Sequence, residues 1–250
     1  MADSITEALL ALAQGQANRL PDALREVAVQ GLCRDADIVL FQQLARRLVQ
    51  QHRRVDLAGL AVYRESLRRL LGGPDGLFAL LDALPAGPGA IEPARLQGLE
   101  RRFLGWRWRL RDREERLRPV HRDLRLEHVS VLPGPEVVIF DPDFVPGDPA
   151  LDVSAVAVSL LELGAREPLS WSDGYRPLFD AFWSTYLGES GDHELLDVAP
   201  PFLAWQALRA ASPLAPSPLR PAARLKMIDF AEEALTQRSF NPDGIRWLER

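Results

Sequence analysis

The stretch "HRDLRLEHVSVLPGPEVVIFDPDFVPGDPALD", residues 121–152, decides the fold prediction because it interrupts a chain whose other segments have helical periodicity. It places seven carboxylates around two β-branched runs, "HVSVL" and "EVVIF", which are separated by "PGP". Such runs on either side of a Pro-Gly turn predict a β-hairpin. Antiparallel pairing would bring Asp123, before the first strand, to the same end of the ribbon as Asp141, after the second. The sequence therefore predicts a hairpin that gathers acids at one end.

The segments on both sides of this hairpin have the periodicity of helices. "DADIVLFQQLARRLVQQH" from Asp35 spaces its apolar residues every three or four positions, and "LAGLAVYRESLRRLLGG" repeats the pattern up to two glycines. A third helix is expected from "PARLQGLERR" to the pre-proline Arg118. Four more helical segments follow the hairpin, and Pro200 and Pro201 are expected to kink or break the third of these. A mainly α fold with a small β element is the result.

The amino-terminal part gives weaker signals. "SITE" from Ser4 to Glu7 fits a capping box and predicts a first helix. "LREVAVQGLC" is interpreted as one remnant strand that contains Gln30. We therefore expect a single domain over 1–250, with residues 1–34 as a helical extension or lobe remnant and residues 35–250 as a helical lobe.

Composition bounds the class of protein. The 250 residues are 47% hydrophobic and 26% charged, the balance of a soluble globular protein, and the net charge of −5 disfavours a nucleic-acid-coating role. The one cysteine, Cys33, cannot form an intrachain disulfide, and no apolar run reaches the length of a membrane span. We expect a cytoplasmic protein with no membrane partner. Every basic residue except Lys226 is arginine, so a lysine role elsewhere in the chain is vacant.

The gathered acids suit phosphoryl transfer. A hydroxyl that attacks a phosphoryl group needs an acceptor for its proton and divalent cations that neutralise the phosphate oxygens. Carboxylates supply both, because hard cations such as Mg²⁺ prefer oxygen ligands.

The pieces "HRDLRLEH", "VVIFD" and "GDPALD" resemble the catalytic segment of the aminoglycoside phosphotransferase family, which has the protein-kinase-like fold. In that family the first motif is His-Gly-Asp with a metal-binding Asn five residues after the Asp. The resemblance implies that Asp123 is the catalytic base, that His121 braces the loop, and that Asp141 binds Mg²⁺. It also implies that Asp148 and Asp152 are structural carboxylates that bond loop and helix backbone.

Three positions depart from the family pattern or stay open. His128 stands in place of the metal-binding Asn, and an imidazole suits softer ions than Mg²⁺, so His128 is either a ligand or a packing histidine. "DPDF" is one residue shorter than in most relatives, so Asp143 is an alternative to Asp141 as the metal ligand. Arg125 would either neutralise a transferring phosphate or pair with Asp143 or Glu127.

The largest departure is the nucleotide-binding lobe. Kinase-like enzymes hold ATP under an amino-terminal β-lobe with a strand lysine. Here helical segments precede residue 121 and the lysine is missing. The resemblance is therefore to a carboxy-terminal lobe, with the amino-terminal β-lobe absent or vestigial.

An arginine-rich segment and an aromatic segment are two further groups of candidate residues. The segment 101–118 has eight arginines and three acids, with two interleaved tryptophans, and is interpreted as a helix with a solvated face; Arg107, Arg109 and Arg111 are candidates for holding a phosphate. The aromatic residues of "YRPLFDAFWSTYLG" are interpreted mostly as core, with an acceptor pocket as the alternative.

These observations leave two functional hypotheses of different class. One is a phosphotransferase that uses ATP and Mg²⁺ to phosphorylate a small-molecule hydroxyl acceptor. The other is a pseudokinase that binds a protein partner, or forms a homodimer, through the face that the missing lobe would cover. The sequence slightly favours the degenerate form. A third reading is an unrelated helical protein with a chance motif, and convergence of the hairpin and both acids, Asp123 and Asp141, in the structure would exclude it.

Overall fold

The structure is a computed structural model that describes residues 17–53, 59–85, 91–134, 136–140, 144–216 and 218–245. The helix predicted from Ser4 lies outside these residues. The strands are β1 Asn18–Arg19, β2 Arg118–Val120, β3 Val129–Leu132, β4 Glu136–Ile139 and β5 Val145–Gly147. The α-helices are α1 Leu20–Ala23, α2 Arg25–Gln30, α3 Asp35–His52, α4 Leu60–Leu71, α5 Ala79–Ala83, α6 Pro93–Leu110, α7 Ala150–Arg166, α8 Arg176–Ser190, α9 Leu195–Ala211 and α10 Pro221–Thr236.

The predicted hairpin and the mainly helical architecture are confirmed. β3 and β4 pair antiparallel, with Val129 opposite Ile139 and Leu132 opposite Glu136, and β1 adds to the other edge of β3. β2 and β5 form a separate antiparallel pair. The hairpin thus belongs to one small sheet, and the residues before and after it pair with each other in a second.

The helices form one core around α7 and α9. α3 packs against α8, and α9 packs against both α7 and α10. The predicted apolar stripe of α3 faces inward, where Phe41, Leu44 and Leu48 are buried. Burial of such a stripe supplies most of the stability of an amphipathic helix. No helix in the described ranges combines the length and the apolar character needed to span a bilayer.

Two predictions about the amino-terminal half were wrong. Residues 25–30 form the helix α2, ended by the left-handed Gly31, and Gln30 is exposed there, so this segment is no remnant strand. The helix expected to reach Arg118 ends at Leu110, because the following residues form a 3₁₀ turn and then the strand β2. Before residue 121, the strands in the described part of the chain are β1 and β2.

The expected break at Pro200 and Pro201 does not occur, and α9 runs through both prolines. A proline inside a helix cannot donate to the carbonyl four residues earlier. The carbonyl of Leu196 instead accepts a hydrogen bond from the backbone N–H of Phe240, at 2.8 Å. A tertiary contact thus satisfies a group that Pro200 leaves free.

Candidate active site

The loop that carries the candidate residues connects β2 to β3 and is fixed by apolar anchors. Leu124 and Leu126 are buried, and residues Leu126–His128 form a 3₁₀ turn that leads into β3. The side chain of Arg19 in β1 donates to the backbone carbonyl of Glu127, at 3.0 Å. Leu124 and Leu126 therefore point inward as anchors, while Asp123, directly before them, remains half-exposed.

His121 is buried at the start of this loop and contacts the residues on both sides of the segment 141–143. Its backbone N–H donates to Oδ2 of Asp152, at 2.7 Å, and its Nε2 lies 2.8 Å from the carbonyl oxygen of Phe140. Because a carbonyl only accepts, Nε2 carries the proton. The edge of the ring meets Phe144, at 6.4 Å between centroids. His121 thus ties the loop to the end of β4 and to α7.

Arg122 has a backbone φ of 67°, the only positive value among the described non-glycine residues. The left-handed region costs an L-residue about 1 kcal/mol or more relative to glycine. This is the position of the glycine in the His-Gly-Asp motif that the segment resembles. The chain therefore has a glycine-type backbone turn with an arginine in it.

Both carboxylate oxygens of Asp123 contact arginine. Oδ1 accepts from Nη2 of Arg209 in α9, and Oδ2 lies 3.4 Å from Nη2 of Arg125 in the loop. The guanidinium of Arg209 lies over the ring of Trp205, one helical turn earlier, at 5.2 Å. Arg125 thus pairs with Asp123 and not with the expected alternative Glu127, and the other expected partner, Asp143, lies outside the described residues.

His128 is fixed by the same loop. Its Nδ1 lies 2.8 Å from the backbone carbonyl oxygen of Asp123, so Nδ1 is the protonated nitrogen. The ring stacks on His121, with centroids 5.4 Å apart and planes 18° apart. In the neutral ring Nε2 then keeps its lone pair, and no hydrogen bond to a described residue uses it.

The described donor set does not by itself fit Mg²⁺. No group of three or more His, Cys, Asp or Glu side chains in the described ranges lies close enough together to hold a metal ion. The two predicted carboxylate ligands, Asp141 and Asp143, lie outside these ranges. His128 is an imidazole, a poor ligand for this cation. The metal-binding roles of Asp141, Asp143 and His128 therefore stay predictions.

Asp148 lies beneath the loop in a buried network that sequence reasoning missed. Arg116 contacts it with two nitrogens, at 2.9 and 3.1 Å, and also contacts Asp192 with two, at 2.8 and 2.9 Å. The hydroxyl of Tyr63 donates to Asp148 at 2.8 Å, and the backbone N–H of Ala150 donates at 2.9 Å. Asp148 therefore joins the start of α7 to α4 and to the 3₁₀ turn before β2.

Asp152 lies in a second buried network. Its Oδ2, which accepts from the backbone of His121, lies 3.3 Å from Nε2 of His52. Nδ1 of His52 lies 2.8 Å from the hydroxyl of Tyr186 in α8. Burial raises the pKa of Tyr186 well above its usual range, and burial together with the charge of Asp148 does the same for Tyr63. Both phenols are therefore stable hydrogen-bond donors at neutral pH.

The other sequence candidates lie elsewhere in the fold. Arg109 stacks on Trp106, and Arg107 and Arg111 lie over Trp108, all three on or next to α6. The core interpretation of the aromatic segment is confirmed, because its five large aromatic side chains are at most 2% exposed: Tyr175, Phe179, Phe182, Trp183 and Tyr186.

Comparison with solved structures identifies the fold. The structure superimposes on a glucosamine kinase with a TM-score of 0.57 at 19% sequence identity. The match covers 89% of this chain and 60% of the kinase. A second match is an ethanolamine kinase of Plasmodium vivax, with a TM-score of 0.44, 14% identity, and coverage of 80% of this chain and 58% of that one. No protein-family model matches the chain. No curated protein matches it either.

The chain thus spans about three fifths of the length of the glucosamine kinase. At this identity the likeness shows the fold alone. The convergence of Asp123 and Asp141, which would exclude an unrelated helical protein with a chance motif, is not described because Asp141 lies outside the described residues. The chain has the fold of the helical lobe of the protein-kinase-like fold, with small β elements.

Proposed function

We propose that the chain is the helical lobe of an ATP-dependent small-molecule phosphotransferase of the aminoglycoside-phosphotransferase type, with Asp123 as the general base. The observation that carries the proposal is that one loop contains both a fixed residue, His121, and an exposed carboxylate, Asp123. The backbone and ring of His121 are bonded inward to Asp152 and Phe140, while the Asp123 carboxylate is half-exposed at the surface. A base must be held in place and still reach its substrate, and this loop meets both requirements.

The proposed reaction is transfer of the γ-phosphoryl group of ATP to a hydroxyl. The acceptor oxygen forms a bond to the γ-phosphorus while its proton moves to a carboxylate oxygen of Asp123. The bond from the γ-phosphorus to the bridging oxygen breaks, and its electron pair leaves with ADP. In this proposal Arg125, two residues after Asp123 on the same loop, stabilises the charge on the transferred group.

The ion pair at Asp123 sets a condition for this reaction. A carboxylate oxygen that accepts from Arg209 has to be released before it accepts a proton from the substrate. Exposed ion pairs of this kind contribute only about 0 to 1 kcal/mol, so a bound substrate can exchange with them. Asp123 is thus available as a base once a ligand competes for its arginines.

The test is ADP formation by the purified chain with MgATP or MnATP and a panel of small alcohols. General-base catalysis contributes about 10²- to 10⁴-fold. We expect Asp123→Asn to lose at least 100-fold in turnover while its circular dichroism and nucleotide affinity stay unchanged. Asp112→Asn is a matched control, because Asp112 is also an exposed aspartate paired with an arginine, Arg64, but lies outside the loop. Equal turnover in Asp123→Asn and the intact chain would contradict the proposal.

Calorimetric titration tests nucleotide and metal binding separately. We expect metal-dependent nucleotide binding that is lost in Asp141→Ala, and loss in Asp143→Ala instead would assign the ligand to Asp143. Because His128 is an imidazole, MnATP is expected to bind more tightly than MgATP, and His128→Asn should reverse that order. No nucleotide binding by the intact chain would overturn the enzymatic proposal.

The second candidate is a pseudokinase that binds a protein partner. It is favoured by the two arginine contacts of Asp123 and by three exposed apolar side chains. Val29 and Leu32 are 85% and 57% exposed, and Leu169 is 99% exposed. The two segments that carry them are linked, because the side-chain hydroxyl of Ser170 donates to the backbone carbonyl of Ala28 at 3.0 Å. If partner binding or self-association persists in Asp123→Asn but is lost in Leu169→Ser, this second function is supported.

A further inference from the structure

Arg209 is a fixed cation beside the proposed base. It lies on α9, its side chain is 22% exposed, and its guanidinium covers the ring of Trp205, which is itself buried. A guanidinium stacked on an aromatic ring loses little further freedom when it binds a ligand. Arg209 is therefore more ordered than a typical surface arginine.

The two arginines at Asp123 approach from different elements and contact different oxygens. Arg125 comes from the loop and lies near Oδ2, whereas Arg209 comes from α9 and contacts Oδ1. In the proposed reaction the loop arginine serves the transferred phosphoryl group. The acceptor hydroxyl has to lie between Asp123 and that phosphoryl group. The helix arginine contacts the other carboxylate oxygen, so it is left for a neighbouring group of the acceptor.

Arg209 keeps hydrogen-bonding capacity for a ligand. A guanidinium has five N–H donors, and the hydrogen bond that Arg209 makes to a described residue is the one to Asp123. An acid on a neighbouring helix, Glu162 in α7, is paired with Arg166 at 2.6 Å. Burial raises the pKa of Glu162, although the charges of Arg166 and Arg209 act in the opposite direction. Glu162 thus makes its hydrogen bond to Arg166, and the hydrogen bond of Arg209 goes to Asp123.

We infer that Arg209 determines acceptor specificity by binding an oxyanion on the acceptor, a carboxylate or a phosphate ester, next to the hydroxyl that is phosphorylated. This inference rests on the proposed function, since it names the acceptor class of the same site. Arginine binds carboxylate and phosphate through paired hydrogen bonds, whereas an ammonium group beside it is repelled. The acceptor is thus a hydroxy acid or a phosphorylated alcohol, in contrast to the amino sugar named for the glucosamine kinase.

The same contact couples recognition to activation of the base. In the structure Asp123 is the oxyanion on Arg209. An acceptor that brings its own oxyanion takes over this guanidinium and releases Oδ1 as its hydroxyl arrives. A neutral or cationic acceptor offers no such exchange and leaves the base paired.

Binding to matched probes tests the inference without any turnover. Glycerate, glycerol 3-phosphate, glycerol and 3-amino-1,2-propanediol share a three-carbon diol skeleton and differ in the charge of the third group. Gluconate, glucose 6-phosphate, sorbitol and glucosamine form a similar set on a six-carbon skeleton. Titrations of the full chain by NMR at low salt are expected to show at least ten-fold tighter binding for one anionic probe than for its neutral partner. Comparing the acid with the phosphate ester in each set distinguishes the two oxyanions.

Variants assign the effect to Arg209. Arg209→Gln should remove the anionic preference, and Arg209→Lys should restore part of it because the charge returns without the planar fork. Arg46→Gln is the matched control, since Arg46 pairs with Glu189 on the surface elsewhere. The inference is overturned if no anionic probe binds more tightly than its neutral partner, or if Arg209→Gln keeps the preference.

Turnover separates this inference from the proposed function. If ATP-dependent transfer occurs only with the neutral or cationic probes, the phosphotransferase proposal stands and the acceptor inference is wrong. If anionic probes bind through Arg209 but no transfer occurs with any nucleotide, the oxyanion site stands and the proposed function is wrong.

Discussion

Asp148 and Asp123 are two arginine-bound aspartates of the same segment in opposite surroundings. The Asp148 side chain is 0% exposed and has four hydrogen bonds, two of them from Arg116, whereas the Asp123 side chain is 50% exposed and contacts Arg209 and Arg125. A buried charge needs all of its partners because water cannot replace them. An exposed charge can exchange partners. The first carboxylate is therefore suited to hold the loop, and the second to act on a ligand.

The largest expected effect comes from removing the partner of the buried carboxylate. Arg116→Met leaves Asp148 buried with only Tyr63 and the N–H of Ala150 as donors. Loss of one member of a buried pair costs about 3–5 kcal/mol in the free energy of unfolding. Urea denaturation of the variant and the intact chain measures this difference. A change below about 1 kcal/mol would mean that Asp148 is as replaceable as a surface carboxylate.

A companion variant sharpens this result. Asp192→Asn removes the charge and one of the two acceptor oxygens from the outer half of the Arg116 contacts, where the carboxylate is 23% exposed. It should lower the free energy of unfolding clearly less than Arg116→Met does. An equal loss would mean that the Arg116 contacts to Asp192, rather than those to Asp148, stabilise the fold.

The pH dependence of stability tests the buried networks as a whole. The chain has three tyrosines, and in the folded state all have raised pKa values: burial raises that of Tyr175 to about 12 and those of Tyr63 and Tyr186 further. In the unfolded chain they ionise near pH 10. Above about pH 10 the folded state then binds more protons than the unfolded state, so stability falls as pH rises, by about 1.4 kcal/mol per pH unit for each tyrosine.

The measurement is tyrosine absorbance against pH, with circular dichroism recorded on the same samples. The phenolate signal is expected to appear together with alkaline unfolding. Titration of more than one tyrosine near pH 10 in a folded protein would show that at least one network is open to water, because only Tyr175 lies outside the two networks. Tyr63→Phe identifies the contribution of the network around Asp148.

A smaller effect of opposite sign is expected at Arg122. Arg122→Gly removes the cost of a left-handed L-residue, about 1 kcal/mol, and this is partly offset by the greater freedom of glycine in the unfolded chain. We expect a net stabilisation of less than about 1 kcal/mol, measured as a shift of the urea midpoint. Arg122→Ala is the control, since alanine also lacks the long side chain but keeps the Cβ. A stabilisation by both variants would assign the effect to the side chain rather than to the backbone.

Much of the fold was predictable because it depends on local patterns. α3 begins and ends where the spacing from Asp35 placed it, and the hairpin follows from two β-branched runs and a Pro-Gly turn. The errors arise where tertiary contacts decide. Residues 25–30 have the composition of a strand, yet they form a helix that buries Val27 in the core. The helix before β2 ends at Leu110 and not at Arg118, and Arg116 in the following 3₁₀ turn contacts the buried Asp148.

The site was predictable only in part. The motif spacing drew attention to Asp123, but the partners of the loop are far away in the sequence: Arg116 is 32 residues from Asp148, Tyr63 is 85 residues from it, and Arg209 is 86 residues from Asp123. No local pattern specifies such pairs. For Arg209 one signal was present, since Trp205 lies four residues earlier and an arginine at that spacing can stack on it.

The smallest expected effect is the change in stability for Arg209→Gln. Its pair with Asp123 lies at the surface, so the variant should change the free energy of unfolding by less than about 1 kcal/mol, similar to Arg46→Gln. A loss near that of Arg116→Met would show that Arg209 holds the loop in place, and any loss of acceptor preference would then follow from a displaced Asp123. A small loss of stability together with a lost anionic preference separates the two roles, because only a residue that touches the ligand changes binding without changing the fold.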